Sequence, residues 1–183
     1  KNALLMVVGD VEPSIVFEKV RKEFAHIKNT HEIPRFKFKE PKQDGAKRIE
    51  IEKESEVEML AIAFHIPDFK NPDQPALSAI SELLSSGKSS RLNALLIDEK
   101  KLVNTIYAYN MENKDPGVFL FMAICNPGVK AETVEKELLE QITLLKTENV
   151  SQSELEKIKV NTKSDFIFSM ENSSTLVSMF GSY

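Results

Sequence analysis

The sequence predicts an α+β two-layer sandwich, in which a mainly antiparallel sheet is covered by helices on one face. Short runs of strand length occur as neighbouring pairs, segments with a helical apolar stripe also occur in pairs, and polar turn residues lie between them. From about residue 48 the predicted order is strand, strand, helix, helix, strand, strand, helix, helix. Adjacent strands of this kind form hairpins, and the striped helices need a sheet against which to bury their apolar side.

The composition limits the classes of function. A chain of 183 residues with 42% apolar content can bury one sizeable core, or one core and part of another. The net charge of -4, without a clustered basic face, argues against nucleic-acid binding. No apolar run is long enough to span a bilayer. The single cysteine, Cys125, excludes an internal disulfide and is expected to be a buried thiol, but the compartment, cytoplasmic or periplasmic, stays open.

The chain opens with a predicted strand and helix. Residues 3–8 are a continuous apolar run that ends at a Gly-Asp turn, and Glu12 and Pro13 suit the start of a helix whose apolar positions include Val16, Val20 and Phe24. Because the chain starts without Met and enters a strand almost at once, we expect a fragment of a longer protein. Prolines and alternating charges predict a linker at residues 28–47.

The histidines do not predict a metal site. His26 and His31 are five positions apart, lie past a helix and have no cysteine partner, whereas zinc needs three or four converging ligands. His65 ends an apolar strand and is expected to be a partly buried, hydrogen-bonded side chain. Residues 48–66 predict a hairpin. Its alternating glutamates favour a solvated edge over a cation or basic-peptide site.

Residues 83–103 contain a joint between two helices. Gly87, Lys88 and Ser89 resemble the end of a phosphate-binding loop, but the first glycine of that motif would be Glu82, inside a helix that begins at Asp73. We therefore predict a left-handed helix end at Gly87 and a capping serine, Ser89 or Ser90. The apolar side of the second helix comprises Leu92, Leu95, Leu96 and Leu102.

The rest of the chain predicts a hairpin and two helices. Strands at 103–111 and 118–126 flank a polar turn, and the second strand, apolar on both faces, is expected to be central. A helix over 131–146 carries an apolar stripe, and another begins at a capping box formed by Ser151 and Glu154. Its predicted inward residues are Leu155, Ile158, Thr162 and Phe166, and a further apolar cluster near the end of the chain predicts a truncated domain.

Four stretches in order along the chain carry a resemblance to a known family: MVVGDVEPSIVFEKVRKEF, FHIPDFKNPDQPALSAISELLSSGKSSRLNALLIDEKKLV, GVFLFMAICNPG and VSQSELEKIK. Together they resemble the pitrilysin-type (M16) zinc metallopeptidases, the family that includes the mitochondrial processing peptidase and its bacterial relatives. The resemblance implies the LuxS/MPP-like metallohydrolase fold. It also implies three parts: the closing strand and helix of an N-terminal domain at 1–27, a linker at 28–47, and an M16-type C-terminal domain, truncated at its end, at 48–183.

The resemblance implies a chain without the catalytic chemistry. Family members hold zinc through His-x-x-Glu-His and a further glutamate in the first domain, where zinc and the motif glutamate activate a water molecule. None of that motif is present here, so the chain is expected to be inactive alone, with no cofactor of its own and zinc bound in the preceding domain. Its expected partners are a peptide or unfolded polypeptide, the N-terminal domain and a second M16 subunit.

The same resemblance identifies candidate site residues. Many members place an arginine and a tyrosine after Ser-Ser-Arg-Leu, but the matching positions here are Ile97 and Asn104, which cannot replace them. Tyr107, a little further along, and Arg91 are the candidate substrate-binding residues. For Arg91 an exposed or ion-paired structural role is favoured over substrate contact.

Two functions therefore stay open at the level of sequence. The chain is the non-zinc-binding domain of an M16 endopeptidase subunit, where it helps to enclose and bind peptide, or it belongs to an inactive M16-like subunit with an assembly or peptide-holding role. We also expect residues 3–24 to dock where the second domain lacks its own final strand and helix.

Overall fold

The computed structural model describes residues 3–28 and 41–181. Contacts divide the chain into a core unit, residues 51–161, and a second unit made of residues 1–50 and 162–183. In chain order the elements are α1 (Pro13–Phe24), β1 (Met59–Ile66), α2 (Gln74–Ser85), a π-helix (Asn93–Glu99), β2 (Val103–Met111), β3 (Gly117–Cys125), α3 (Ala131–Thr147), α4 (Gln152–Ser169) and α5 (Ser173–Gly181).

The sheet of the core unit is antiparallel, with strand order β1-β3-β2. The predicted hairpin of β2 and β3 is confirmed, and so is the central place of β3, which pairs with both neighbours. The register of β2 shifts between Val103 and Thr105, so Asn104 is an extra residue at a β-bulge. This bulge lies next to the end of the π-helix.

One face of the sheet carries the core. Alternate residues of β3 from Phe119 to Cys125 are buried, together with Ile106 and Ala108 of β2. Leu84 of α2, Leu92 and Leu96 at the helix joint, and Val134 and Leu138 of α3 belong to the same apolar cluster. The helices therefore cover one face of the sheet, which confirms the α+β two-layer arrangement.

Local predictions about turns and caps are largely confirmed. Gly87 has φ of 74°, the left-handed value expected of a glycine that ends a helix. Ser90 precedes the next helix and its carbonyl accepts the N–H of Ala94 at 2.9 Å. The Ser90 hydroxyl donates to the Gly87 carbonyl at 2.8 Å, and Ser89 Oγ accepts Lys157 Nζ at 2.7 Å. Ser90 therefore stabilises the turn itself, and the predicted side-chain cap of the next helix by Ser89 or Ser90 is wrong. Glu12 precedes α1 and Pro13 occupies its first turn, as predicted.

The second helix of the joint differs from the prediction, because residues 93–99 form a π-helix. The N–H of Lys100 donates to the carbonyl of Leu95, five residues earlier, at 2.8 Å. The leucine spacing predicted which side is buried, and Leu92 and Leu96 are indeed fully buried. Over seven residues, however, an apolar stripe does not distinguish a π-helix from an α-helix.

Two predicted strands are wrong. Residues 3–8 and residues 49–52 form no strand, and within the described ranges the sheet contains only β1, β2 and β3. Ile49 and Ile51 are 83% and 85% exposed, so their alternation with glutamates marks no buried face. A strand is stable only where a neighbour satisfies its backbone groups, and the sequence pattern does not supply that neighbour. The hairpin at 48–66 is therefore a single strand, and the idea that residues 3–24 complete the sheet is wrong.

The inward face predicted for α4 is correct only at Ile158. Ile158 is buried, whereas Leu155, Thr162 and Phe166 are exposed. The core unit ends at Asn161, so the later part of the stripe adds nothing to that core. In the second unit, Val16 and Val20 of α1 are half-buried and Phe24 is exposed. No helix in the described part of the chain is long and apolar enough to cross a membrane.

Candidate functional site

An open groove of about 440 Å³ lies beside β2. On one side it is lined by the C-terminal half of α2, and on the other by residues of β2 and β3; we call it the β2 groove. Its lining residues are Ser81, Glu82, Ser85, Ser86, Tyr107, Ala108, Tyr109, Leu120 and Met122.

Two tyrosines provide the aromatic surface of the groove. Tyr107 and Tyr109 alternate with the buried Ala108, and they are 62% and 60% exposed. On β3, Met122 pairs with Tyr107 and Leu120 pairs with Tyr109, so these apolar side chains continue the same face of the sheet. The groove thus offers apolar and aromatic contact area with two phenol groups at its edge.

Two serines of α2 hold the backbone of β2 at the groove. Ser81 Oγ donates to the carbonyl of Ala108 at 2.6 Å, and Ser85 Oγ accepts the N–H of Ala108 at 2.8 Å. β2 is an edge strand, whose outward backbone groups would otherwise be open to another strand. Strand addition at Ala108 is therefore blocked, and the tyrosines on either side of it are held in register.

A second pair of contacts extends this attachment. The amide Nδ2 of Asn110 donates to Gln74 Oε1 and to Ser78 Oγ, both at 3.0 Å. The four polar residues of α2 occur at helical spacing and form one polar stripe beside the apolar one. They are Gln74, Ser78, Ser81 and Ser85. The sequence contains this stripe, but the apolar periodicity that predicts α2 does not reveal it.

Arg91 lies at the helix joint and is not among the residues that line the β2 groove. Its Nε and one terminal nitrogen donate to the two carboxylate oxygens of Glu154, at 2.7 and 2.8 Å. The guanidinium therefore connects the joint to the start of α4. This is the ion-paired arrangement favoured for Arg91, while its contact with substrate stays a prediction.

Glu154 is also the acid of the predicted capping box, which is confirmed. Its backbone N–H donates to Ser151 Oγ at 3.3 Å, and its carboxylate accepts the backbone N–H of Ser151 at 3.0 Å. The hydrogen bonds from Arg91, followed by those from Ser151, hold the pKa of Glu154 at about 2, below its ordinary value of 4.5. The same pairing raises the pKa of Arg91.

The positions that match the family's arginine and tyrosine have other roles here. Ile97 lies in the π-helix, is partly buried and packs against the core cluster. Asn104 is exposed at the β-bulge. Of the two predicted substrate-binding residues, Tyr107 lines the β2 groove and Arg91 does not.

The described residues of this chain do not fit a zinc ion. Across residues 3–28 and 41–181, no group of three or more histidine, cysteine or acidic side chains is placed to hold a metal. His26 and His65 are both exposed, so the burial predicted for His65 is wrong, and His31 lies outside the described residues. Cys125 is fully buried, as predicted, and burial raises the pKa of its thiol.

The glutamates predicted to form an acidic strand edge do not share one strand. Glu58 caps α3, because one of its carboxylate oxygens accepts the N–H of Ala131 at 2.8 Å and the other accepts Lys130 Nζ at 2.7 Å. These hydrogen bonds, first that from Lys130, lower the pKa of Glu58. The glutamates at 50, 52, 54 and 56 precede β1 and belong to no strand.

Comparisons with known proteins agree with this architecture. A family model described as "Peptidase M16 inactive domain" matches residues 1–161. The chain is 44% identical over 186 residues to "Zinc protease PqqE" of Helicobacter pylori (strain ATCC 700392 / 26695), a match that covers 100% of this chain and 42% of that protein. The chain thus spans less than half the length of this curated relative.

Solved structures show the same fold. A protease from Helicobacter pylori superposes with a TM-score of 0.91 at 43% identity, over 94% of this chain and 43% of the other. A peptidase M16 inactive domain from Pseudomonas fluorescens gives a TM-score of 0.56 at 20% identity, over 60% of this chain and 26% of the other, and so supports the fold alone. From these matches and the two-layer fold, the chain belongs to the M16 peptidase family, as its inactive domain.

Proposed function

We propose that this chain is the non-zinc-binding domain of an M16 zinc metalloendopeptidase, in which it helps to enclose and bind an unfolded peptide beside a zinc-binding domain of the longer protein. The observation that carries the proposal is the β2 groove with its two exposed tyrosines. Zinc would be bound by that other domain, where it would activate water for peptide hydrolysis. The printed name of the relative from Helicobacter pylori, a zinc protease, supports this assignment.

The chemistry of the β2 groove suits a peptide. Tyrosine provides a large apolar surface and a hydroxyl group with little loss of side-chain entropy on binding. Leu120 and Met122 add apolar contact from β3. Because serines already occupy the backbone of Ala108, the peptide would be bound through its side chains on the face of the sheet rather than by strand addition at that point.

The second candidate is an inactive M16-like subunit with an assembly or peptide-holding role. Ile97 and Asn104 favour it, because they stand where the resemblance implies a substrate-binding arginine and tyrosine. If a second M16 subunit supplied the arginine and the tyrosine, a chain with Ile97 and Asn104 would still be compatible with peptidase activity. If the longer protein, loaded with zinc, cleaves an unfolded peptide only when a partner subunit is added, the endopeptidase role with a divided site is supported. If it never cleaves, the assembly role is supported.

Peptide binding by the chain itself is the direct test. The sequence has three tyrosines and no tryptophan, so tyrosine emission reports largely on Tyr107 and Tyr109. We expect an unfolded peptide to change this emission saturably, and Tyr107→Ala to weaken binding about tenfold because it removes an aromatic ring that the bound peptide would cover. Binding is measured by the anisotropy of a labelled peptide, so that loss of a fluorophore does not affect the result.

Met59→Ala is the matched control. Met59 is 62% exposed, like Tyr107, but it lies on β1 and does not line the β2 groove. We expect it to leave peptide affinity unchanged. Equal losses in the two variants, or binding that survives Tyr107→Ala unaltered, would contradict the assignment of the groove.

The finer expectations from sequence are part of the same proposal. Arg91 and Tyr107 are proposed as substrate-binding residues, with Tyr107 at the groove and Arg91 engaged with Glu154. The division into a closing strand-helix segment at 1–27, a linker at 28–47 and a C-terminal domain from 48 is proposed as well.

A further inference from the structure

We propose that Met122 is a peroxide-sensitive modification site, and that conversion of its thioether to a sulfoxide weakens peptide binding at the β2 groove. The inference rests on the proposed function, because it assigns a mode of regulation to the same groove. It follows from the position of Met122 in the sheet, from the apolar character of the sheet face on which it lies, and from the burial of the only thiol in the sequence.

Met122 lies on the face of the sheet opposite the core. Its neighbours on β3, Phe121 and Ala123, are buried in the core, and successive side chains of a strand point to opposite faces. Met122 itself is 38% exposed and lines the β2 groove. Tyr107 is its direct partner on β2. A chemical change at this sulfur therefore takes place beside the aromatic ring that the proposed peptide would cover.

The surrounding surface is apolar. We call it the open face, and it consists of Val118, Leu120, Met122 and Ile124 of β3 with the residues paired with them on β1 and β2. Across these three strands, all of which the structure describes, the open face contains no acidic residue, lysine or arginine. A methionine sulfoxide is polar, so under a bound peptide it would place a hydrogen-bond acceptor without a partner on this surface.

Met122 is a better target for a peroxide than the thiol of this chain. Cys125 is fully buried, and burial raises the pKa of its thiol, so little of the reactive thiolate is present. A thioether needs no deprotonation. Hydrogen peroxide transfers one oxygen atom to the sulfur: the O–O bond breaks, the S–O bond forms, the sulfur is oxidised by two electrons, and the peroxide is reduced to water.

Two other methionines share the open face but do not line the groove. Met59 pairs with Ile124 and is 62% exposed, and Met111 pairs with Val118 and is 38% exposed. Both should therefore react with a peroxide without changing the peptide-binding surface. Among the described methionines, Met122 alone combines exposure with a place in the β2 groove, so the effect on binding should depend on it.

The test treats the 183-residue chain with hydrogen peroxide, removes the excess with catalase and locates each sulfoxide by mass spectrometry. Binding is measured by the anisotropy of a labelled, unstructured peptide that has no methionine or cysteine. We expect a sulfoxide at Met122 to weaken binding about tenfold, because its oxygen loses hydration without gaining a hydrogen bond. Methionine sulfoxide reductases with dithiothreitol should restore the affinity.

Met122→Leu isolates the role of the sulfur. Leucine keeps the apolar character and roughly the size of the side chain, so the variant should stay folded, which far-UV circular dichroism checks. Each protein is compared with itself before and after peroxide, so a different starting affinity does not enter the result. We expect Met122→Leu to lose less than about twofold in affinity on treatment. Met59→Leu is the matched control and should stay as sensitive to peroxide as the wild type.

The outcomes separate this inference from the proposed function. If Met122 stays reduced while Met59 is oxidised, the modification site is wrong. If the wild type with a sulfoxide at Met122 binds as tightly as before, or if Met122→Leu loses as much affinity as the wild type, the inference is overturned while peptide binding stands. If the untreated chain binds no peptide, the proposed function fails, and the effect of oxidation on binding fails with it.

Discussion

Glu154→Gln would remove one charge from a pair that joins two distant parts of the core unit. Arg91 and Glu154 are 63 positions apart, and their side chains are only 23% and 29% exposed. The two hydrogen bonds between them have the parallel geometry that makes arginine–carboxylate pairs strong. The same carboxylate closes the capping box at the start of α4. The variant therefore weakens the attachment of α4 and its cap together.

The magnitude follows from the pKa of Glu154. A fall from 4.5 to about 2, at about 1.4 kcal/mol for each unit of pKa, gives an upper limit of about 3.5 kcal/mol. Since both side chains keep some contact with water, we expect about 2 kcal/mol of lost unfolding free energy at neutral pH. The pKa is depressed in the folded state, so the contribution is fully present above the unfolded value of 4.5 and is lost as the pH falls towards 2.

Urea unfolding followed by far-UV circular dichroism at several pH values measures this difference. The gap between wild type and Glu154→Gln should be largest at neutral pH and should narrow as the pH falls below 4.5. Glu156→Gln is the control, because Glu156 lies in the same helix, is exposed and accepts only a bond from Gln152. It should cost less than about 0.5 kcal/mol. A gap that is absent at neutral pH, or that stays constant through the acid range, would refute the reasoning.

Two further changes test the helix joint. Lys101 has φ of 52°, a left-handed conformation that is strained for a residue with a side chain, so Lys101→Gly should raise the unfolding free energy by about 0.5–1 kcal/mol. Lys100→Gly should instead lower it by about 1 kcal/mol or somewhat more, because Lys100 has right-handed helical angles and its ammonium group pairs with Glu137; a gain in both would contradict the strain argument. Leu96→Ala should cost about 2–5 kcal/mol in urea unfolding, since Leu96 is fully buried. Leu95→Ala, at a partly buried position, should cost clearly less, and equal losses would argue against the observed orientation of the π-helix.

Part of the candidate site was predictable from the sequence. The resemblance around Ser-Ser-Arg-Leu points to Tyr107, which does line the β2 groove. No local pattern points to its companions Ser81 and Ser85, because they bind the backbone of Ala108, more than 20 positions away in sequence. Glu82, which also lines the groove, stands out in the sequence only as the residue that breaks a phosphate-loop pattern. Its place at the groove depends on how α2 lies against β2.

The sequence by itself determined the features that depend on neighbouring residues. Gly87 ends a helix because only a residue without a side chain adopts its φ freely, and Ser151 caps a helix because Glu154 is three positions away. The hairpin of β2 and β3 follows in the same way from a polar turn between two apolar runs. Such interactions are short-range, so the order of residues contains most of the information that they need.

Only the tertiary structure decided the features that need a partner from elsewhere in the chain. Residues 3–8 and 49–52 have strand-like patterns, yet they form no strand because no neighbouring strand pairs with their backbone. The leucines of the joint lie on a π-helix rather than an α-helix, and Arg91 finds its carboxylate on α4. The β2 groove likewise exists because serines of α2 bind the edge of β2, an attachment that local sequence patterns do not reveal.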